Sequence, residues 1–266
     1  TWLRCEQVEV TAPRGALSLD LGAGPEPVAA REATAAGFAG LNCLVAVNKN
    51  NPLDWIAGWA GYHARVHGAE GVVLFDNGST DYAPEDIAAR LAQVPGLARA
   101  LVFRAPYPYG PGDKALRREV SPRFFQTAML NLARRDPLAR ARAVLSIDVD
   151  ELVTGGRNGT VFDAACRHPL GLVTIPGSWV YPAPGTDGPV GHRAHVWREN
   201  PDRATNQKWC IRPGGIMDRF GWGVHRVDEV FQNLLTRQDA FRLLHCRGTS
   251  TGWKAKRFEL PETLVR

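Results

Sequence analysis

Short apolar runs alternate with helical patterns between residues 41 and 147, and this alternation constrains the fold more than any other feature. Four runs have the length of buried strands, namely residues 41–47, 71–75, 99–103 and 143–147. Three segments between them carry apolar side chains at helical spacing, namely residues 52–67, 84–94 and 121–135. Strands that alternate with helices form parallel sheets through right-handed crossovers. The sequence therefore predicts an α/β protein with a mostly parallel central sheet flanked by helices.

The boundaries of the first helix can be predicted from its end residues. Asn51 is a capping residue type, and Pro52 suits the first helical position because proline lacks the N–H that would otherwise be unpaired there. Gly68 follows the last apolar residue of the pattern and is predicted to end the helix.

The composition of the 266-residue chain excludes several classes of protein. Hydrophobic residues make up 44% of the chain and charged residues 22%, which is enough apolar side chain to build a core and excludes a disordered chain. No apolar run approaches the roughly 20 residues of a membrane span. The net charge of +5 comes from dispersed basic residues, so no nucleic-acid partner is expected.

The cysteines indicate the redox environment. Five cysteines are widely spaced and form no CxxC pair, which argues against a disulfide framework and a cysteine-rich zinc site. Reduced thiols predict a cytoplasmic location, with any membrane association made through other components.

Polar residues follow each strand of the predicted sheet. Residues 48–50 follow the first strand, residues 76–81 the second, Arg104 the third and residues 148–151 the fourth. Ligands of open parallel sheets bind beyond the carboxyl ends of the strands. These polar segments are therefore the predicted functional site.

Asp148 and Asp150 predict a divalent metal ion. Residues two apart in an extended segment point to the same face, so the two carboxylates would repel each other. Mg²⁺ or Mn²⁺ would relieve the repulsion, and such an ion takes its remaining ligands from water and substrate phosphates. A substrate that carries a diphosphate is therefore expected.

Together, these residues resemble the glycosyltransferases of the GT-A fold, in the family 2-like and family 92-like branch. The resemblance covers about residues 41–258 and rests on residues 48–50, 76–81 and 148–151, with weaker matches at 208–213 and 244–250. The branch often has Glu where this chain has Asn51, so any carboxylate role at that position is lost.

The resemblance implies a GT-A, Rossmann-like domain over residues 41–266. Residues 41–151 would form the nucleotide-sugar-binding half, and residues 152–266 would form a β-rich acceptor-binding half. Residues 1–40 are rich in Ala, Gly and Pro and would be an N-terminal extension or the end of a preceding domain.

The implied activity is metal-dependent transfer of a hexosyl-type sugar from a nucleotide diphosphate, with a UDP-sugar favoured, to a hydroxyl of a glycan or glycolipid acceptor. The implied process is polysaccharide biosynthesis, and transfer would invert the anomeric centre. The implied donor-binding residues are Asn48, Lys49, Asn50, Asp76, Asn77, Ser79, Arg104, Gln126 and Asp148. Mn²⁺ or Mg²⁺ would be held by Asp148, Asp150 and His245, with His225 as the second choice for the histidine.

Inversion requires a base that deprotonates the acceptor. Asp228, Glu229 and His225 lie in the region where that base is expected, and the sequence does not choose among them. The acceptor side is predicted at the tryptophans of residues 171–225, because indole faces suit sugar rings; the candidates are Trp179, Trp209 and Trp222.

Other functions use part of the same pattern. A sugar-phosphate nucleotidyltransferase shares the fold and metal chemistry but usually has a Gly-rich basic loop after the first strand. A carbohydrate-binding protein would need the tryptophans but not the two aspartates, and a glycoside hydrolase would need two carboxylates without a metal. A dehydrogenase is disfavoured because no GxGxxG segment links a strand to a helix.

Overall fold

The structure is a computed structural model that describes residues 15–20, 22–28, 31–111, 123–156, 159–227, 232–249, 260–261 and 263–266. Its strands are β1 (Leu17–Asp20), β2 (Pro25–Val28), β3 (Asn42–Asn48), β4 (Gly71–Asp76), β5 (Arg99–Arg104), β6 (Ala143–Ser146), β7 (Glu151–Val153), β8 (Leu172–Val180), β9 (Arg198–Glu199), β10 (Ala204–Ile211), β11 (Leu243–Cys246) and β12 (Leu264–Val265). Its helices are α1 (Leu53–His67), α2 (Pro84–Ala92), α3 (Phe124–Arg135), α4 (Val161–Arg167) and α5 (Gln232–Leu235).

Eight strands form one central sheet in the order β5-β4-β3-β6-β10-β8-β11-β7. The strands β5, β4, β3 and β6 are parallel, and β10 joins them antiparallel to β6. The rest of the sheet is mixed, since β8 is antiparallel to β10 but parallel to β11. The predicted α/β class, the mostly parallel first half and the β-rich second half are confirmed, and the arrangement is consistent with the GT-A fold.

Two apolar clusters cover the two faces of the sheet. One cluster packs α1, α2 and α4 on the sheet around Leu44, Trp59 and Phe162. The other packs α3 on the opposite face around Val45, Phe125 and Trp209. Leu44 and Val45 are adjacent in β3 and belong to different clusters, which is the alternation expected for a strand buried on both faces.

The helix α1 shows how the sequence sets an element boundary. It ends where predicted, because Gly68 adopts the left-handed conformation with φ of 68°. It begins one residue later than predicted, at Leu53, with Pro52 as the capping residue. The Asn51 side chain does not cap the helix, since its amide donates a hydrogen bond to Asn48 Oδ1 instead.

A bulge in β10 turns Lys208 towards the interior. The register between β10 and β8 shifts between Thr205 and Lys208. In β10, exposed and partly buried residues alternate before Lys208, and every residue from Lys208 onward is buried. Opposite the bulge, a Cβ atom at Gly177 would lie 2.5 Å from Thr205 Cγ2. Glycine is therefore required where the two strands approach.

Two smaller sheets lie outside the central one. The strands β1 and β2 pair with each other and are fully exposed, and β12 pairs with β9. The predicted boundary near residue 40 remains a prediction. Within the described parts of the chain, no helix is both long and apolar enough to cross a membrane.

Candidate active site

The carboxyl ends of β3 and β4 are joined by a buried polar network. Asn48 and Asp76 are paired in register and are each 1% exposed. The Asn48 amide donates to Asp76 Oδ1 at 2.8 Å, and the Ser79 backbone N–H donates to Asp76 Oδ2 at 2.9 Å. These contacts join the polar segments at residues 48–50 and 76–81 into a single network. The parallel pairing of β3 and β4 predicts this proximity.

The next residues of both segments extend this network to the surface. Asn50 has a φ of 52°, and its side chain exchanges hydrogen bonds with Thr80. Lys49 is exposed. Asn77 is buried, and its amide donates to the carbonyl oxygens of Ala105 and Tyr107, so it anchors the chain beyond β5. Asn77 therefore has a structural contact on both of its amide hydrogens.

Asp148 lies beyond the end of β6 and is held through both carboxylate oxygens. Gln126 on α3 donates to Oδ1 at 2.7 Å, and Lys208 Nζ lies 2.6 Å from Oδ2. Gln126 Oε1 in turn accepts a hydrogen bond from Tyr109. The structure thus brings Gln126 and Asp148, two predicted donor-binding residues, into direct contact. Arg104 is exposed at the end of the edge strand β5, which β4 and β3 separate from β6.

Beneath Asp148 lies a fully buried ion pair. Lys208 is 0% exposed and Glu151 is 1% exposed, and Lys208 Nζ lies 3.2 Å from Glu151 Oε2. Burial alone would lower the pKa of Lys208, but the carboxylates of Asp148 and Glu151 raise it well above its usual range. Burial raises the pKa of Glu151, and the Lys208 ammonium opposes that rise. Lys208 is therefore a fixed cation inside an acidic cluster.

Asp150 and His245 face each other from different parts of the sheet. His245 lies on β11, which pairs with β7 directly after Asp150. His245 Nε2 lies 3.2 Å from Asp150 Oδ2, and His245 Nδ1 lies 3.3 Å from Glu151 Oε1. The backbone N–H of Cys246 also donates to the Asp150 carbonyl at 2.8 Å, which fixes the two loops together.

The Asp150–His245 pair fits two positions of a divalent ion. Ligands at neighbouring positions of an octahedral ion, each about 2.1 Å from it, lie about 3 Å apart, which is close to the Nε2–Oδ2 separation. Carboxylate oxygen and imidazole nitrogen are both ligands of Mn²⁺. No group of three or more His, Cys, Asp or Glu side chains within the described ranges is arranged to hold an ion. The remaining ligands would therefore come from phosphate and water.

The three predicted acceptor tryptophans occupy different environments. Trp179 is partly exposed and packs against His245 with a centroid distance of 4.0 Å and an interplanar angle of 34°, and the Arg247 guanidinium lies over its ring. Trp209 and Trp222 are 0% exposed and pack against each other. Because a fully buried indole offers no face to a sugar, the predicted acceptor contact is wrong for Trp209 and Trp222, which are core residues.

The candidate bases are only partly described. Asp228 and Glu229 lie outside the described residues. His225 is placed near Asn206, with its Nε2 atom 3.4 Å from the Asn206 amide nitrogen. Burial, together with the positive charges of Lys208 and Arg123, lowers the pKa of His225 to about 3. A group with that pKa accepts a proton only weakly at neutral pH, so the environment of His225 does not favour it as the base.

Two further histidines hold the loops that carry Asp150 and His245. His192 Nε2 lies 2.6 Å from the carbonyl oxygen of Val149, and His195 Nε2 lies 2.8 Å from the carbonyl oxygen of Arg247. Both histidines belong to one turn near residue 192, which includes a short 3-10 helix at His192–Ala194. One short segment therefore anchors both sides of the candidate metal site.

Glu151 and Lys208 are the site residues to which the sequence assigned no role. Both lie inside segments that matched the resemblance, but a glutamate after two aspartates and a lysine in a strand are usually exposed. The signal that could have identified Lys208 is its position just before the apolar residues Trp209, Cys210 and Ile211, which places it next to a buried part of the strand.

Comparisons with known proteins give no family assignment by sequence: no protein-family model and no curated protein matches the chain. Solved structures do match. A crystal structure of GalNAc-T7 with UDP, GalNAc and Mn²⁺ aligns with 78% of this chain and 44% of that chain, at 11% sequence identity and a TM-score of 0.40. A crystal structure of S. aureus TarS aligns with 57% of this chain and 23% of that chain, at 18% identity and a TM-score of 0.28. The chain thus spans less than half the length of either protein, and its function is argued from the site itself.

Proposed function

We propose that this chain is a metal-dependent glycosyltransferase that moves a sugar from a nucleotide diphosphate, most simply a UDP-sugar, to a hydroxyl group of a glycan or glycolipid. The observation that carries the proposal is the position of Asp150 and His245. These two side chains lie 3.2 Å apart beyond the polar carboxyl ends of β3, β4 and β6, and they would supply two ligands to a metal ion. A metal with only two protein ligands is suited to a substrate that brings its own phosphate oxygens.

The donor would lie along the ends of the parallel strands. Asn50 is partly exposed at the carboxyl end of β3 and would contact the base or ribose, whereas Asn48 and Asp76, each 1% exposed, would hold that segment in place through their mutual hydrogen bond. Asp148, held by Gln126 and Lys208, would accept hydrogen bonds from the donor with its orientation already set. Preorganisation of this kind lowers the entropic cost of binding.

Asp150 and His245 would hold Mn²⁺ or Mg²⁺ on the diphosphate. When bound, the ion would neutralise charge that develops on the leaving phosphate. Trp179 lies against His245 and is partly exposed, so its ring would border the acceptor sugar next to the reacting centre. Asp228 or Glu229 would then be the base that takes the proton from the acceptor hydroxyl, since the low pKa of His225 argues against that residue.

The proposal is tested by turnover of a panel of nucleotide sugars with Mn²⁺ and with chelator, using simple sugars and glycans as acceptors. Metal-dependent release of nucleoside diphosphate is expected. Release of pyrophosphate from a sugar phosphate and a nucleoside triphosphate would identify a nucleotidyltransferase instead. Binding of glycans without any turnover would identify a carbohydrate-binding protein.

A further inference from the structure

We propose that Glu151, held by the buried ammonium of Lys208, is a positioning residue that orients His245 so that its Nε2 atom faces the metal. This inference rests on the proposed function, because it concerns the metal site of that reaction. It assigns a role to two buried residues that take no direct part in substrate binding.

The first step is the placement of Glu151. Its side chain is 1% exposed, and its two oxygens face different partners. Oε2 accepts the backbone N–H of Asp148 at 2.8 Å and lies 3.2 Å from Lys208 Nζ. Oε1 lies 3.3 Å from Nδ1 of His245. The carboxylate is thus fixed on one side by a cation and a backbone amide, and it presents the other oxygen to the imidazole.

The second step is the chemistry of the imidazole. A neutral histidine has one N–H and one lone pair, so the partner of one nitrogen determines the role of the other. A hydrogen bond from Nδ1–H to Glu151 leaves the lone pair on Nε2, which faces Asp150 Oδ2 at 3.2 Å. The same distance suits an N–H···O hydrogen bond, so a metal ion bound between these two atoms would replace the proton that Nε2 shares with Asp150. Histidine ligands of metals are commonly oriented by a carboxylate on the other ring nitrogen.

The third step is the role of Lys208. Asp148, Asp150 and Glu151 are three carboxylates within four residues, and the first and third both contact Lys208. Without that cation, Glu151 would be a buried charge with no compensating partner, which is strongly unfavourable. The Lys208 ammonium therefore favours the ionised form of Glu151 against the opposing effect of burial. Its position depends on the bulge in β10 that turns its side chain inward.

Other contacts on the ring limit its freedom without setting the proton. Trp179 packs against the imidazole with its ring tilted by 34°, and Thr205 Oγ1 lies 3.4 Å from Nδ1. The Thr205 hydroxyl can donate or accept, so it fits either tautomer. In its ionised form, which the Lys208 contact favours, Glu151 can only accept, and that form is the one that selects the tautomer.

The test is Mn²⁺ binding by the metal-free protein, without any nucleotide sugar. Calorimetric titration should show an affinity about 10–100-fold weaker in Glu151→Gln than in the wild type. Pulsed electron paramagnetic resonance of bound Mn²⁺ should show a nitrogen coupling in the wild type that His245→Ala loses and Glu151→Gln weakens. The matched control is Glu70→Gln, because Glu70 accepts a hydrogen bond from the Asn42 backbone at the opposite edge of the sheet. Its affinity and spectrum should equal those of the wild type.

If Glu151→Gln does not fold, the double variant Lys208→Met/Glu151→Gln replaces it in the test, because it removes both charges of the buried pair together. It should fold and should show the same weakened Mn²⁺ affinity. The inference is overturned if the folded variants bind Mn²⁺ as tightly as the wild type or retain the full nitrogen coupling. The proposed function fails separately, if the wild type binds no Mn²⁺ and turns over no nucleotide sugar.

Discussion

Nε2 of His245 and Oδ2 of Asp150 lie 3.2 Å apart although the two residues are 95 positions apart in the chain. The pairing of β11 with β7 brings them together, and the hydrogen bond from Cys246 N–H to the Asp150 carbonyl holds the two loops in place. The candidate metal site is therefore a product of the second, mixed half of the sheet as much as of the parallel half.

Replacement of Asp150 by Asn should abolish Mn²⁺ binding and lower transfer by at least about 100-fold, because the amide is a much weaker ligand and the leaving phosphate loses its counter-charge. The measurements are Mn²⁺ calorimetry and turnover at saturating donor. Asp54→Asn is the matched control, since the Asp54 side chain is 83% exposed on α1. Normal turnover in Asp150→Asn with a retained metal requirement would contradict the assignment.

Lys208→Met should lower the free energy of unfolding by about 3–5 kcal/mol, because it leaves the buried Glu151 carboxylate and the partly exposed Asp148 carboxylate without their cation. Addition of Glu151→Gln to this variant should recover part of the loss, since one of those charges is then removed. Urea unfolding measures both effects. Lys49→Met is the control at an exposed lysine and should change stability by about 0.5 kcal/mol or less. If Lys208→Met were as stable as Lys49→Met, the buried Lys208–Glu151 pair would contribute nothing to the free energy of unfolding.

Trp209→Ala and Trp179→Ala should separate core packing from substrate contact. Trp209 is fully buried, so its loss should cost about 3–5 kcal/mol of unfolding free energy. Trp179 is partly exposed beside His245, so its loss should raise the KM for the acceptor and cost only about 1 kcal/mol of stability. The comparison uses urea unfolding and acceptor kinetics on both variants. An unchanged acceptor KM in Trp179→Ala would remove the residue from the acceptor site.

Stability should fall with pH below about 6.5 because of His63. Its Nδ1–H donates to Trp59 O and its Nε2 accepts from Val153 N–H, so the folded protein holds the neutral ring. Burial lowers its pKa from 6.5 to about 3. Between these values the unfolded chain binds one more proton than the folded chain, so stability rises with pH across this window and is lost as pH falls.

The contribution of His63 is measured by urea unfolding between about pH 4 and pH 6. In His63→Gln, the slope of the unfolding free energy against pH should be smaller by about 1.4 kcal/mol per pH unit, which corresponds to one proton. An identical slope in the variant and the wild type would show that His63 does not take part in this linkage.

The first half of the fold could be predicted from the sequence because its signals are local. Continuous apolar runs and helix-ending residues such as Gly68 depend on a few neighbouring residues, and β3 to β6 lie within one or two residues of their predicted bounds. Asp148 and Asp150 stood out as carboxylates two positions apart, but the chain between β6 and β7 forms a turn rather than an extended segment, and Lys208 is the cation beside Asp148. The role of Asp148 as a metal ligand stays a prediction. The resemblance assigned His245 to the same metal site, and the structure puts it beside Asp150.

The remainder depends on contacts that no local pattern records. Trp209 and Trp222 have the composition of a sugar-binding surface, but the packing of α3 on the sheet buries them. Lys208 is turned inward by a bulge, and Glu151 is buried by β11 and β10, which come much later in the chain. Long-range pairing of this kind decides burial, and burial decides whether a charged residue is structural or exposed.

The most direct measurement of the central claim is the release of nucleoside diphosphate from UDP-, GDP- and TDP-sugars by the wild-type chain, with Mn²⁺ or with chelator. We expect release from at least one nucleoside diphosphate sugar that requires the metal and is lost in Asp150→Asn and in His245→Ala. Metal-independent release, or release that survives in both variants, would contradict the account.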